Sequence, residues 1–232
     1  MHTEALPKHD VMGPVTRALE AGAIAAAAAL VLANFARFAG APLLLGWWLP
    51  LALAGGAIAA DFASGLVHWA ADTWGRESLP FFGPRFLRPF RVHHSNPDDI
   101  LERDFIDCNG DVALLACPVL VGAALTPLSE EIGCAASVFL AAFGTVSLPT
   151  NLVHQWAHRV DPPRAVAWLQ RRGLILSRAV HAGHHQAPYT TRYCIATGWC
   201  NGALEAIGFF PALERAITAL TGRRPRSDET YA

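Results

Sequence analysis

The sequence predicts an all-α integral membrane protein: four transmembrane helices with a histidine-rich helical cap on one side. Three observations predict it. Hydrophobic residues make up 53% of the 232-residue chain and charged ones only 16%, whereas a soluble domain is about a quarter charged. Mean hydropathy is +0.28. Runs long enough to cross a bilayer, roughly 20 residues each, recur four times. The basic residues fall almost entirely on one side of those runs.

A polar tail, residues 1–14, comes first; Met1 to Asp10 lacks a basic segment followed by a small-residue cleavage site, so the first span reads as a retained anchor. That span runs from about Ala18 to Phe38, and its alanines allow close helix packing. The second starts near Leu43, meets no charge until Asp61, and continues as helix through His68 to Asp72. The third, about Val112 to Leu128, contains Pro118. The fourth, about Ile132 to His154, carries Pro149 and Asn151 near its end, and Pro149 is expected to bend it. Any one of these alone would also suit a buried helix of a soluble protein.

Charge orients the set. Of 18 basic residues, 2 precede the first span, 5 lie between spans two and three, and 10 follow the fourth, while only Arg37 lies toward the opposite side. Positive charge favours the cytoplasmic face, so both termini and the loop from Thr73 to Asp111 are expected there. The overall balance, 18 basic against 19 acidic residues, gives no nucleic-acid partner.

Eight of the ten histidines form four clusters, each at this cytoplasmic depth: His68, His93 with His94, His154 with His158, and His181 with His184 and His185. Neutral imidazole is the commonest protein metal ligand, and a mononuclear site takes about three or four protein ligands. Eight therefore suffice for two ions, a di-metal site in the cap. His2 and His9, in the tail, read as solvated.

Each cluster has its own spacing. Asp61, Gly65, His68 and Asp72 recur at four, three and four residues, which puts them on one helical stripe with room beside the glycine. Asp61 reads equally as support for a ligating histidine or as plain packing. His154 and His158 present two imidazoles from one helix face, but Gln155 stands where a zinc protease needs a glutamate base, which excludes that chemistry. His181, His184 and His185 form HxxHH, three imidazoles over about 100° of a helix surface. His93 and His94 follow Arg85, Arg88 and Arg91, and their helix must end before Pro97. These arginines suit either a lipid phosphate or the positive flank of a span.

The five cysteines, Cys108, Cys117, Cys134, Cys194 and Cys200, form no CxxC pair, which argues against disulfides and a zinc ribbon. No GxGxxG or haem-attachment motif is present, so any electrons must come from a partner.

Five segments carry a resemblance: DFASGLVHWAADTWG (Asp61 to Gly75), RPFRVHHSNP (Arg88 to Pro97), RDFIDCNGD (Arg103 to Asp111), HQWAH (His154 to His158) and HAGHHQAPYTTRYCIATGWCN (His181 to Asn201). In this order they resemble the plasmanylethanolamine desaturase family, the Kua or CarF type, which shares its lipid-desaturase domain with plant plastid phosphatidylglycerol acyl desaturases. The resemblance runs from about Asp61 to Arg226, and a single membrane lipid-desaturase domain is expected over residues 15–232. The resemblance implies two histidine-bound Fe2+ ions that use O2 and external electrons to remove two hydrogens from a lipid chain. The implied ligands are His68, His93, His94, His154, His158, His181, His184 and His185, with Asp72 and Asn109 as further candidates. The implied reaction converts plasmanylethanolamine to the vinyl ether plasmenylethanolamine; alternatives are acyl-chain desaturation or lipid hydroxylation. The implied electron donor is a cytochrome b5-like protein or a ferredoxin, and the membrane is a bacterial inner membrane or the endoplasmic reticulum.

Two departures bear on the substrate. Arg103 stands where the plasmalogen branch is expected to carry a histidine, and Ala187 to Ile195 looks partly like the plant acyl version. A zinc-dependent hydrolase or a metal transporter would be separated from all of these by anaerobic activity or by metal uptake without lipid change. The stretch from Gly202 to Gly222, mixed in polarity, is expected along the membrane interface.

Overall fold

A computed structural model of the chain describes residues 6–41, 46–80 and 82–226. His2 and the predicted start of the second span near Leu43 lie outside the described residues. Among them every regular element is helical: α1 Pro14–Ala39, α2 Leu49–Thr73, a π-helical turn Gly83–Leu87, α3 Arg88–Ser95, α4 Asp99–Glu102, α5 Phe105–Leu125, α6 Glu131–Ser147, α7 Thr150–His158, α8 Arg164–Arg171, α9 Arg178–His181, α10 Asn201–Ala206 and α11 Phe209–Thr221.

Four helices are long and apolar enough to cross a membrane: Pro14–Ala39, Leu49–Thr73, Phe105–Leu125 and the bent pair Glu131–His158. Only 22% to 39% of their apolar cores is buried within the protein. The rest, including Leu32, Phe35, Leu51, Leu115 and Leu125, is exposed, an amount of apolar surface that suits lipid and not water.

Both ends of the third span differ from the sequence reading. The third helix begins seven residues earlier than Val112, at Phe105, because Asp104 caps it by accepting from the Ile106 and Asp107 amides. It ends at Leu125, three residues before Leu128, since Pro127 cannot continue a helix and disfavours helical backbone at Thr126. The fourth is broken at Leu148 and Pro149, where proline removes a ladder hydrogen bond. That is the expected bend.

The chain divides into two compact units. One is Met12–Ala63 with Asp104–His154. Here α1 packs along α5 through Ala23, Ala27 and Ala113, small residues that let two backbones approach, together with Leu120. Trp48, Ala52, Cys134 and Val138 pack α2 on α6. Arg37, the lone basic residue on the far side, is used locally: its guanidinium donates to Ala123 O and Thr126 O at 2.8 and 2.9 Å, satisfying carbonyls at the end of α5 that helix geometry leaves open. Glu20 and Asp61 are both fully buried in this unit.

The other unit comprises Met1–Val11, Ser64–Arg103 and Gln155–Ala232. Its core is aromatic: Trp69, Tyr193 and Phe210 pack together, with Trp69 Nε1 donating to Glu214 of α11 at 2.8 Å. The tail is tied down here, contrary to the expectation of solvation. The His9 amide and Nδ1 both meet the buried Asp99 carboxylate, the ring at 2.9 Å, and Lys8 pairs with Glu102 at 2.7 Å. An acid buried on α4 needs hydrogen-bond donors, and the tail supplies them.

Candidate metal centre

Seven of the eight clustered histidines belong to the Ser64–Arg103 and Gln155–Ala232 unit, and the folding of the chain sorts them into two groups. His68 and Asp72 come from the last turns of α2, His93 and His94 from α3, His158 from the end of α7, and His181, His184 and His185 from α9 and the turn after it. The HxxHH stretch is not a helix surface, as the spacing alone suggested. α9 stops at His181, and the His184 amide closes a tight turn on His181 O at 2.8 Å. In this turn a Cβ at Gly183 would run into the Arg192 guanidinium.

His68, Asp72, His94 and His184 form one group. Asp72 Oδ2 stands 3.3 Å from His68 Nε2, 3.0 Å from His94 Nε2 and 3.7 Å from His184 Nε2. His93, His158, His181 and His185 form the second, with Nε2 to Nε2 separations of 2.8 Å for His181 and His158 and 3.0 Å from His185 to both His93 and His181. His154 precedes His158 by one turn on α7 and is the last residue of the other unit. In each group the ligand atoms lie within 4.8 Å of one another.

Adjacent histidines therefore serve different groups: His93 one and His94 the other, His185 one and His184 the other. Successive residues on a helix point about 100° apart, so His93 and His94 of α3 cannot aim both rings at one point. They can span two neighbouring points. The His94 and His185 ring centroids are 5.7 Å apart, which sets the two groups side by side.

Backbone carbonyls fix which nitrogen faces inward. His68 Nδ1 donates to Tyr193 O at 3.1 Å and His184 Nδ1 to Thr191 O at 2.7 Å. With Nδ1 holding the proton, Nε2 presents a lone pair to the group, as an outer carbonyl does for metal-bound histidine. The segment that supplies these carbonyls is itself anchored. The Cys194 amide and carbonyl are both bonded by the Asn201 side chain at 2.9 and 3.0 Å, and the Ile195 amide donates to Ser64 Oγ at 3.0 Å. A Cβ on Gly65 would stand 2.5 Å from Cys194 Sγ, so the room predicted beside Gly65 is filled by this segment. Tyr189 and Arg192, at φ of 61° and 57°, turn the chain through left-handed conformations that side chains rarely adopt.

Burial disfavours the charged form of His184 and His185. Burial lowers His184 to about 4, against a raising effect of Asp72. Burial, reinforced by His184, His158 and His94, lowers His185 to about 2. Converging lone pairs and a carboxylate, dry and uncharged on the imidazole side, are repulsive unless a cation sits among them. His184 Nε2 is fully buried with no hydrogen bond among the described residues. Donor atoms about 3 Å apart also match neighbouring ligands on one ion with bonds of about 2.1 Å. These residues fit a pair of metal ions.

Beside the second group lies a cavity of about 160 Å3 lined by Asp98, His158, Arg178, His181 and His185. It holds a few molecules the size of water, at about 30 Å3 each. Arg178 donates to His158 O at its edge.

The remaining expected site residues have other surroundings. Asn109, in the α1, α5 and α6 unit, donates its side-chain amide to Phe105 O at 2.9 Å. Arg88 is paired with Asp10 and Glu77 at 3.2 and 3.5 Å, and buried Arg91 donates to Trp74 O and Gly75 O at 3.0 Å. Both guanidinia thus have partners within the protein. Gln155 donates to Ile100 O and Arg103 O, a structural use of the residue that excluded a protease base. Sequence reasoning missed Thr191, Tyr193 and Asn201, whose roles rest on backbone position.

Comparison with known proteins gives the chemistry a family. A model described as "Lipid desaturase domain" matches residues 57–228, which hold every histidine of both groups. The chain belongs to the lipid desaturase family. This lipid desaturase is 41% identical over 219 residues to the plasmanylethanolamine desaturase of Myxococcus xanthus, covering 94% of this chain and 78% of that one. It is 44% identical over 201 residues to plasmanylethanolamine desaturase 1 of Mus musculus, covering 81% and 73%. A chloroplastic fatty acid desaturase 4-like protein of Arabidopsis thaliana is 34% identical over 212 residues, covering 88% and 69%. No solved structure matches. The lipid desaturase is therefore an oxidoreductase with membrane-spanning helices and a histidine-rich site able to hold metal.

Proposed function

We propose that this lipid desaturase introduces the vinyl-ether double bond into the alkyl chain of an ether phospholipid, converting plasmanylethanolamine to plasmenylethanolamine. What supports the reading most is the pairing of two converging imidazole groups with 41% and 44% identity to relatives named for that reaction. Two iron ions, one held by His68, Asp72, His94 and His184 and one by His93, His154, His158, His181 and His185, would supply the oxygen-activating redox chemistry.

The balance is fixed by the products. The chain loses two hydrogens as –CH2–CH2–O– becomes –CH=CH–O–, and O2 takes those two with two further electrons and two protons to give two waters. The extra electrons require an external donor, a cytochrome b5-like protein or a ferredoxin. The protein's part is positional. Thr191 O and Tyr193 O hold two rings with Nε2 inward, burial disfavours the charged form of His184, and wholly buried His68 and His184 keep water from the oxidising centre. The small cavity beside His158 and His185 suits entry of oxygen and exit of water. By charge distribution the histidine unit and both termini face the cytoplasm.

The test is expression in a host that makes ether lipids but no plasmalogens, followed by analysis for acid-labile vinyl ethers. A vinyl ether is the expected product. Unsaturation of an acyl chain without vinyl ether would instead establish the second reading, which the similarity to the Arabidopsis relative and the stretch Ala187 to Ile195 favour. A gain of oxygen would establish a hydroxylase.

A further inference from the structure

The loop after α2 lines a larger cavity, of about 920 Å3, with none of the histidines in its wall. Five of its lining residues are arginines: Arg76, Arg91, Arg223, Arg224 and Arg226. Glu77 is its one carboxylate, and it already faces Arg88 and Arg91 at 3.5 and 3.7 Å. Among the described residues the guanidinia of Arg76, Arg223 and Arg224 make no ion pair. Like charges gathered on one concave wall repel, and an anion relieves that repulsion. Arginine's planar fork matches phosphate oxygens in pairs. Trp74 and Leu79 add an apolar wall to the same cavity.

We propose that this cavity binds the phosphate of the phospholipid whose chain is desaturated, a substrate headgroup site formed by Arg76, Arg223 and Arg224. The proposal deepens the plasmanylethanolamine reading and rests on it for the length of the substrate. In an ether phospholipid the carbon that becomes unsaturated is separated from phosphorus by about six bonds of roughly 1.5 Å, so the phosphate site must adjoin the metal centre. It does so through α2. The span ends at Thr73, which lines the cavity, and Asp72 before it belongs to the first histidine group. Arg226 closes the connection, its amide donating to Thr73 O at 3.1 Å and its guanidinium to Asp72 O at 3.4 Å. A volume near 900 Å3 is at the upper end of small-molecule pockets and accommodates a glycerophosphoethanolamine.

The test uses the full chain, metal-loaded, in mixed micelles. One variant combines Arg76→Gln, Arg223→Gln and Arg224→Gln, three exposed positions; a control neutralises Arg164 and Arg171 on α8. Binding is read by quenching of tryptophan fluorescence with two probes, 1-O-hexadecyl-glycerophosphoethanolamine and phosphate-free 1-O-hexadecylglycerol. The triple variant is expected to bind the phosphate-bearing probe about tenfold more weakly, to bind the alkylglycerol unchanged, and to keep its metal content, while the control matches the parent. Inorganic phosphate at equal free concentration is expected to compete only weakly, because it lacks the alkyl chain; equal competition would mean a free-phosphate site and overturn the headgroup assignment. Equal binding of the phospholipid probe by variant and parent also overturns it. Equal probe binding together with loss of turnover only when electrons come from an acidic protein would make the cavity a protein-docking site. Because the binding readout needs no turnover, weakened binding without any vinyl ether would leave the headgroup site standing and sink the reaction proposed above.

Discussion

At His184 the surroundings suit a metal ligand. Its ring is wholly buried, Nδ1 is taken by Thr191 O, and Nε2 faces Asp72 and two other imidazoles. His184→Ala should therefore remove the metal of the His68 group and lower turnover at least about a hundredfold, while the His158 group keeps its ion. Metal analysis of the purified variant should find about half the parent content. His158→Ala should give the mirror result, and loss of both ions from either variant would show that the two groups are not separable. The sequence made all eight histidines legible as candidates by their clustering. It could not assign them to groups, because neighbours such as His93 and His94 are parted by the direction of helical side chains and by where α9 stops. Thr191 and Tyr193 were not legible, since a backbone carbonyl leaves no signature in residue type.

Helix ends carry the predictions at the next scale. Asp104 caps α5 and pairs with Arg17 of α1 at 2.7 Å, and the Arg17 guanidinium, then the Asp107 and Ile106 amides, hold its carboxyl below the usual range. A depressed carboxylate stabilises the fold above the ordinary carboxylate pKa and loses that contribution as pH falls through the lowered value. Asp104→Ala should cost about 1 kcal/mol from the lost cap, and its deficit against the parent should shrink in strongly acid buffer; thermal unfolding in detergent at two pH values reads both. Gly65→Ala tests the other end of the site. Its Cβ would meet Cys194 Sγ and push away the segment that presents Tyr193 O to His68, so reduced metal affinity in the first group is expected, with helix content by circular dichroism unchanged. An unaltered metal titration would refute that positioning. Among elements, four spans were readable from hydropathy because lipid imposes a length. Their ends were less so: the Asp104 cap was overlooked, and the early start of α5 followed from it.

For the molecule as a whole, activity should require reductant, oxygen and metal together. Removing iron with a chelator before assay should abolish product formation, and readdition of Fe2+ should restore it, measured as vinyl ether per chain. Activity that survives strict anaerobiosis would end the oxidative reading. Composition, spacing and charge asymmetry by themselves determined a helical membrane protein with a histidine content sufficient for two metals, because bilayer thickness and imidazole chemistry both act through residue type and number. Only the tertiary structure decided the rest: that His93 and His185 face one group while His94 and His184 face the other with Asp72, that Arg88 and Arg91 both pair with Glu77, and that Arg223 and Arg224 come to stand beside Arg76. Those outcomes depend on residues far apart in sequence meeting at distances of a few ångströms, and a pattern along the chain carries no record of such meetings.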